Sequence, residues 1–245
     1  MNGETRALCL LTAAARIALK NGTALNYKKA EYVGYEKFVF TCRNGEIIEN
    51  SAEKWFERLK STGLEDVFLL LPESASDREI HGFSNTVGGR IVCRFDSGKV
   101  TCFVPKWEFD QNKRFWIVEY FESEWNDPPK GKPRFADNTE EFKKVLCEIA
   151  ELAEKIEQPF WAGYFNKALD ILENGLSDEI SEFPEKNRRM SYAAEKADVF
   201  GGMGSWNDSP PFYADEKGLS EEYARLSNEL FVQIKLALMY AVNEF

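Results

Sequence analysis

The spacing of hydrophobic residues predicts an amphipathic helix near the start of the chain. Apolar side chains recur there three and four positions apart, which is the period of one helix face. They are Ala7, Leu10, Leu11, Ala14, Ile17 and Ala18. Asn21-Gly22 follows them, and a glycine in this place commonly ends a helix. We therefore expect a helix that packs one face on a sheet.

The next segment has the turn residues and the apolar runs of β-strands. Strands are predicted at residues 35–42, 46–49 and 67–71, and Asn44-Gly45 between the first two is a strong hairpin signal. Ser51 is placed to cap a short helix before the third strand. The third strand is apolar throughout, which indicates that both of its faces are buried.

Residues 90–104 predict a second hairpin and also its register. Asp96-Ser97-Gly98-Lys99 suggests a two-residue loop centred on Ser97 and Gly98. Such a loop places three apolar pairs on one side of the ribbon. The pairs are Phe95 with Val100, Cys93 with Cys102 and Ile91 with Val104. A last strand at 115–121 is predicted to pair with 100–109 through a polar turn.

The hydrophobic period changes to that of helices after a Pro-rich segment, which we interpret as a stiff connector. The predicted helix starts are Asn138 or Thr139, Pro159, Pro184 and Ser220. The predicted fold class is therefore α+β. Residues 1–125 form a mainly antiparallel sheet domain with two helices, residues 126–137 the connector, and residues 138–245 a four-helix bundle.

Charge and cysteine content then limit the classes of partner and compartment. The chain has 41 acidic and 31 basic side chains, a net charge of −10, which repels nucleic acids and anionic membranes and favours a basic partner. Acidity is also an ordinary route to solubility. Five scattered cysteines without C-x-x-C spacing indicate reduced thiols and a cytoplasmic protein. No apolar run is long enough to span a membrane, and no cofactor is predicted.

Catalytic and metal-binding patterns are sparse. His81 lies near Ser74, Ser76 and Asp77, from which a Ser/His/Asp triad can be drawn, but the chain has no G-x-S-x-G motif. A solvated loop histidine is the favoured interpretation. Cys93 opposite Cys102 suggests a disulfide or half of a zinc site, yet both alternate with apolar residues, so core packing is favoured.

Aromatic residues concentrate in the last strands. They are Trp107, Trp116, Tyr120 and Trp125. Exposed rings at these positions would stack on a sugar or a partner. Trp116, Val118 and Tyr120 share one side of a strand whose other side is also apolar, so burial in the core is favoured.

The segment with most chemical information is the glycine-rich stretch Phe200-Gly201-Gly202-Met203-Gly204-Ser205-Trp206-Asn207-Asp208. Its glycines allow tight turns, and its last residues offer a stacking surface, an amide and a carboxylate. It matches no phosphate-binding motif. The candidate ligand- or partner-binding residues are Arg188, Arg189, Tyr192, Ser205, Trp206, Asn207 and Asp208. The alternative is a structural interhelical loop with Trp206 inserted among the helices.

This segment and the helix after it resemble the C-terminal part of small uncharacterised bacterial proteins that are associated with immunity proteins of toxin systems. The resemblance rests on Phe200 to Asp208, Tyr223, Leu226-Ser227, Leu230 and Ala241-Val242-Asn243, and covers about the last 45 residues. It implies a role in blocking a toxin and assigns no catalytic residue.

Three hypotheses follow for the function. The first is an immunity or inhibitor protein that blocks a basic toxin or effector by charge complementarity. The second is an enzyme or small-ligand-binding protein with a pocket between sheet and bundle, in which Arg188, Tyr192 and Asp208 act and Asp208 serves as a base. The third is an oligomerisation surface on the bundle. An enzymatic activity is the less favoured hypothesis.

Overall fold

The computed structural model shows an α+β protein with one six-stranded sheet and seven helices in its described part. The described residues are 1–42, 45–72, 88–125, 128, 131–176, 187–201 and 203–245. The chain divides into two compact units. Gly3–Leu71 and Gly88–Pro133 form the sheet unit, and Arg134–Phe245 with Met1–Asn2 form the helical unit.

The sheet unit has the predicted order of elements. These are α1 (Gly3–Asn21), β1 (Val33–Cys42), β2 (Gly45–Glu49), α2 (Ala52–Ser61), β3 (Leu64–Leu70), β4 (Arg90–Phe95), β5 (Val100–Asp110) and β6 (Phe115–Glu124). The strands lie side by side in the order β2-β1-β6-β5-β4-β3. The predicted pairing of the last two strands is confirmed, since Phe109 lies beside Trp116 and Val104 beside Phe121.

The sheet is mixed, so the prediction of a mainly antiparallel sheet is imprecise. β1 runs parallel to β6, with Phe38 beside Tyr120 and Glu36 beside Val118. The other pairs are antiparallel. Hairpin turns set antiparallel pairs locally, whereas the parallel pair joins strands about eighty residues apart and leaves no local pattern.

The predicted register of the second hairpin is wrong by one residue. Cys93 lies beside Thr101, and Cys102 lies beside Val92. The loop has three residues, because the backbone N–H of Phe95 donates to the carbonyl of Lys99, and Gly98 takes a φ of 81°. A one-residue shift moves side chains to the other face. Cys93 and Cys102 therefore lie on opposite faces, and both are free thiols.

The first helix is confirmed, but its buried face differs from the predicted stripe. Leu10, Ala14 and Ile17 are only half-buried. The buried positions are Thr5, Leu8, Cys9, Leu11, Thr12, Ala13, Ala15, Arg16 and Ala18. Thr12 can be buried because its hydroxyl donates a hydrogen bond to the carbonyl of Leu8 at 2.7 Å. A prediction from hydropathy alone places this polar residue on the exposed face.

Part of the core of the sheet unit lies between α2 and one face of the sheet. Ser51 caps α2 as predicted, since its hydroxyl accepts from the backbone N–H of Lys54. Trp55 of α2 stacks on Phe38 at 5.1 Å and meets Phe103 edge-on at 5.7 Å. Burying three large rings in one layer contributes several kcal/mol of hydrophobic stabilisation, on the order of 1.5–3 for each side chain.

The helical unit contains five described helices, so the term four-helix bundle is imprecise. They are α3 (Thr139–Lys155), α4 (Pro159–Asn174), α5 (Arg188–Ala197), α6 (Pro210–Glu216) and α7 (Ser220–Asn243). The helix α6 has only seven residues, too few for a periodic signal. The predicted start at Pro184 lies outside the described residues.

The predicted stripe of α3 is confirmed as part of the helical core. Phe142, Leu146 and Ile149 are fully buried, as are Leu226, Leu230, Ile234 and Leu238 of α7. Both helices follow the helical hydrophobic period, which directs these side chains to one side. Within the described ranges, no helix is long and apolar enough to cross a membrane.

Candidate functional site

Trp206, the aromatic residue of the glycine-rich loop, is buried in the helical unit. Its exposed fraction is 0%. Its ring stacks on Tyr223 of α7 with centroids 5.2 Å apart and meets Phe165 and Trp161 of α4 edge-on at 5.1 and 6.0 Å. Trp206 therefore offers no stacking surface to a ligand, and it packs as the structural interpretation expects.

Every polar group of Trp206 that needs a partner has one. The indole N–H donates to the hydroxyl of Ser227 at 2.8 Å, and the Trp206 carbonyl accepts from the hydroxyl of Tyr223 at 2.8 Å. The backbone N–H donates to the carbonyl of Val199 at 3.1 Å, which closes the loop at its base. Buried polar groups are costly unless bonded, so these three bonds fix the position of the loop.

The remaining loop residues hold a tight turn above Trp206. The hydroxyl of Ser205 donates to the carbonyl of Gly201 at 3.0 Å. The carboxylate of Asp208 accepts from the backbone N–H of Gly204 at 2.8 Å. Gly204 has a φ of 77°, a conformation that favours glycine. Ser205 and Asp208 thus have structural partners inside the loop.

Asn207 differs from its neighbours in this loop. Its side-chain oxygen and nitrogen are both buried and have no hydrogen-bond partner in the described part of the chain. An amide in this state carries an unrepaid desolvation cost of about 1–3 kcal/mol. We find no structural reason for an asparagine at this position.

The anchored loop exposes Met203 almost completely. Met203 is 96% exposed, and two phenylalanine side chains are exposed on segments next to the loop: Phe160 at 64% and Phe212 at 62%. Phe160 lies in the first turn of α4 and contacts Trp161, which in turn contacts Trp206. Phe212 lies on α6, directly after the loop. We call Met203, Phe160 and Phe212 the apolar loop residues. Exposed methionine and aromatic side chains are typical of protein-binding surfaces.

The candidate residues on α5 do not all approach this loop. Arg189 donates to the carbonyl of Glu173 at the end of α4, whereas Trp206 packs on Trp161 and Phe165 near its start. At 1.5 Å per residue these places are about 12–18 Å apart. Tyr192 is half-buried on α5. The guanidinium Nε of Arg188 is buried without a hydrogen-bond partner among the described residues.

A second cluster of chemical interest, which the sequence analysis missed, lies in the sheet unit around Glu36. Glu36 is 7% exposed, and its carboxyl accepts a 2.8 Å hydrogen bond from the hydroxyl of Tyr27. Burial raises the pKa of Glu36 to about 7, against the lowering effects of Tyr27 and Lys29. Glu36 shares strand parity with Phe38 and Phe40, a sequence pattern that indicates an inward carboxyl.

Tyr120 and Trp107 lie on the same face of the sheet as Glu36. Tyr120 is fully buried and stacks on Phe38 at 4.7 Å, as the core interpretation expects. Burial raises the pKa of its hydroxyl well above the usual range. The indole N–H of Trp107 is buried and has no hydrogen-bond partner among the described residues. The face thus combines a buried acid with aromatic rings.

Other predicted chemistry is limited by what the structure describes. His81, Ser74, Ser76 and Asp77 of the drawn triad lie outside the described residues. In the part of the chain that is described, no group of three or more His, Cys, Asp or Glu side chains is placed to hold a metal ion.

Comparisons of the chain with protein-family models, with curated proteins and with solved structures found no match. The resemblance to immunity-associated proteins therefore stays a prediction. Function has to be argued from the residues and the geometry of this chain.

Proposed function

We propose that the protein is a partner-binding protein of the immunity or inhibitor type, whose helical unit binds a basic bacterial toxin or effector. The observation that carries the proposal is the distribution of charge. Residues 134–245 have 22 acidic and 12 basic side chains, which is the whole net charge of −10, whereas residues 1–133 have 19 of each. A field of one sign on one unit steers a partner of the opposite sign.

Exposed carboxylates on α3 illustrate this charge. Glu151 and Glu154 are exposed on this helix. Glu151 lies near the thiol of Cys147, whose pKa is raised by burial and by the negative charges of Glu173, Glu151 and Glu148. Several other acidic side chains of the unit are paired, as Glu222 is with Lys155 at 3.2 Å. Unpaired surface carboxylates are the ones that a basic partner would neutralise.

The apolar loop residues would supply the affinity that charge alone does not. Charge pairs at a rim mainly speed association, while buried apolar anchors at the centre slow dissociation. Met203 stands on a loop that Trp206 holds in place, so little conformational entropy would be lost when it enters a partner's pocket. A ligand-binding or enzymatic role for the loop itself is less well supported, because Trp206 is buried.

The test is quantitative capture of partners from the organism that encodes the chain, including the products of neighbouring genes, followed by affinity measurement on the captured protein. We expect a basic protein whose binding weakens as salt is raised, since exposed charges are screened over about 8–10 Å. Glu151→Lys with Glu154→Lys should weaken binding about tenfold. The matched control, Glu57→Lys with Glu65→Lys in the sheet unit, changes net charge equally and should have little effect.

A second pair of variants tests the apolar part of the proposal. Met203→Ser with Phe212→Ser should shorten the lifetime of the complex at least about tenfold. Tyr35→Ser, which removes a ring that is 49% exposed from the sheet unit, serves as the control. Absence of any enriched basic partner, or equal binding by all variants, would reject the proposed function.

A further inference from the structure

The two edges of the sheet differ in how they are covered. At the β3 edge, α1 packs along the strand, and Arg16 donates a hydrogen bond to the carbonyl of Val67. The backbone N–H of Val67 donates to the carboxylate of Asp66 at 2.9 Å, and Arg16 pairs with the same carboxylate at 2.8 Å. The backbone groups of β3 that point away from β4 are thus satisfied at Val67 by side chains of the same unit.

The opposite edge, β2, has no such cover among the described residues. All five residues of Gly45–Glu49 are exposed or half-buried, and within the described ranges their backbone groups bond only to β1. The strand contains no proline, lysine or bulge, which are three of the devices that block an exposed edge. β2 therefore presents a regular row of unpaired N–H and C=O groups.

The side chains of β2 define what a strand beside it would meet. Ile48 is 49% exposed and begins an apolar row that crosses four strands on one face. The row consists of Ile48, Val39, Phe121 and Val104. Glu46 lies two residues from Ile48 on the same face and has no ion pair among the described residues, whereas Glu49 is bonded to Arg58 at 2.7 Å.

We propose that β2 binds an extended segment of a basic protein by strand addition, with an apolar side chain beside Ile48 and a lysine or arginine beside Glu46. Backbone hydrogen bonds supply affinity in this mode, and alternate side chains supply specificity. The site lies on the sheet unit and does not depend on the function proposed for the helical unit.

A second copy of the chain fits this edge less well. When Ile48 pairs with Ile48 of another copy in an antiparallel ladder, Glu46 lies beside Asn50 of that copy. The carboxylate of Glu46 then gains no cationic partner. A contact limited to five residues is also far smaller than the roughly 1,000 Å² that a stable interface buries. Short peptides need no such area, because their weak binding is sufficient when the segment is tethered to a larger partner.

The probe is the synthetic peptide Thr-Lys-Thr-Val-Thr-Lys-Thr with blocked ends, titrated into the isotope-labelled full chain. When its valine lies beside Ile48, one of its lysines lies beside Glu46 in either strand direction. We expect saturable shifts of the amide signals of Gly45–Glu49, with a dissociation constant below about 1 mM. A peptide with glutamate in place of both lysines should bind at least about fivefold more weakly.

Two matched controls separate strand addition from unspecific charge attraction. The same peptide with alternate backbone nitrogens methylated keeps its charge but cannot extend the ladder, and should not bind. Glu46→Lys should reverse the preference in favour of the glutamate peptide, while Glu53→Lys on the neighbouring helix should not. The proposal is overturned if the amide signals of β2 do not shift, if the methylated peptide binds equally, or if Glu46→Lys leaves the preference unchanged.

Discussion

The hydroxyl of Tyr223 donates a 2.8 Å hydrogen bond to the carbonyl of Trp206 while the two rings stack at 5.2 Å. One residue of α7 thus holds both the backbone and the ring of the loop residue. Tyr223→Phe keeps the ring and leaves the carbonyl unpaired in a buried place, so we expect the free energy of unfolding to fall by about 1–3 kcal/mol. Urea denaturation measures the change, and Asn228→Ala, an exposed change on the same helix, should cost less than about 0.5 kcal/mol.

Substitutions of Met203 and Trp206 should change the stability of the protein by very different amounts, although only three positions separate the two residues. Met203→Ser should change the free energy of unfolding by less than about 0.5 kcal/mol, because its side chain is exposed. Trp206→Ala should cost about 3–5 kcal/mol, because it empties a buried site, removes the ring that stacks on Tyr223 and leaves the hydroxyl of Ser227 without the indole N–H. Thermal unfolding of both variants checks this contrast. A large loss of stability for Met203→Ser would contradict its assignment as a surface anchor.

The buried Glu36 predicts a particular dependence of stability on pH. Its pKa is raised by burial to about 7 in the folded protein, from an ordinary value of 4.5. The folded state therefore holds this proton more tightly, so its contribution to stability is complete below pH 4.5 and is lost as pH rises to about 7. The loss amounts to roughly 3 kcal/mol.

Glu36→Gln provides the comparison for this prediction. Glutamine stays neutral, and its oxygen can accept the hydrogen bond from Tyr27, so the difference in unfolding free energy between the two proteins should change over this pH range and level off above it. Denaturation at pH 4.5, 6 and 8 measures the difference. A difference that is constant with pH would show that Glu36 is ionised throughout.

The exposed thiol of Cys147 should react slowly with alkylating reagents at pH 7–8. Burial and the charges of Glu173, Glu151 and Glu148 raise its pKa, and the thiolate is the reactive form. Glu151→Gln should speed alkylation severalfold, and added salt should reduce the difference between the two proteins. Mass spectrometry of the labelled cysteines follows the rate. Equal rates for both proteins at low salt would contradict the electrostatic part of this account.

Local sequence patterns predicted the positions of the helices and strands better than they predicted how the strands pair. The order of strands and helices to residue 124 and the stripe on α3 follow from periodicity and turn residues. The hairpin register at Gly98 was missed because two- and three-residue loops use the same residue types, and φ decides between them. The parallel pairing of β1 with β6 has no local cause at all.

The candidate site was predicted only in part, for a related reason. Ser205 to Asp208 do form one local structure, which short-range turn chemistry can indicate. Whether Trp206 faces solvent or the core depends on the positions of α4 and α7, which the loop sequence does not contain. The burial of Glu36 was not predicted, because a carboxyl in a strand is usually exposed. Its position two residues from Phe38 nevertheless indicates the same, inward face of the strand.

The parallel contact between β1 and β6 also sets an order for folding. Lys37 and Glu119 form a 3.1 Å ion pair across 82 positions of the chain, whereas the β1–β2 and β5–β6 hairpins are local. Local hairpins close quickly, and distant strands must first overcome the entropy of a long loop. During synthesis, Phe38 must therefore wait for Tyr120 to emerge, and until then its ring has Trp55 as a stacking partner but lacks Tyr120.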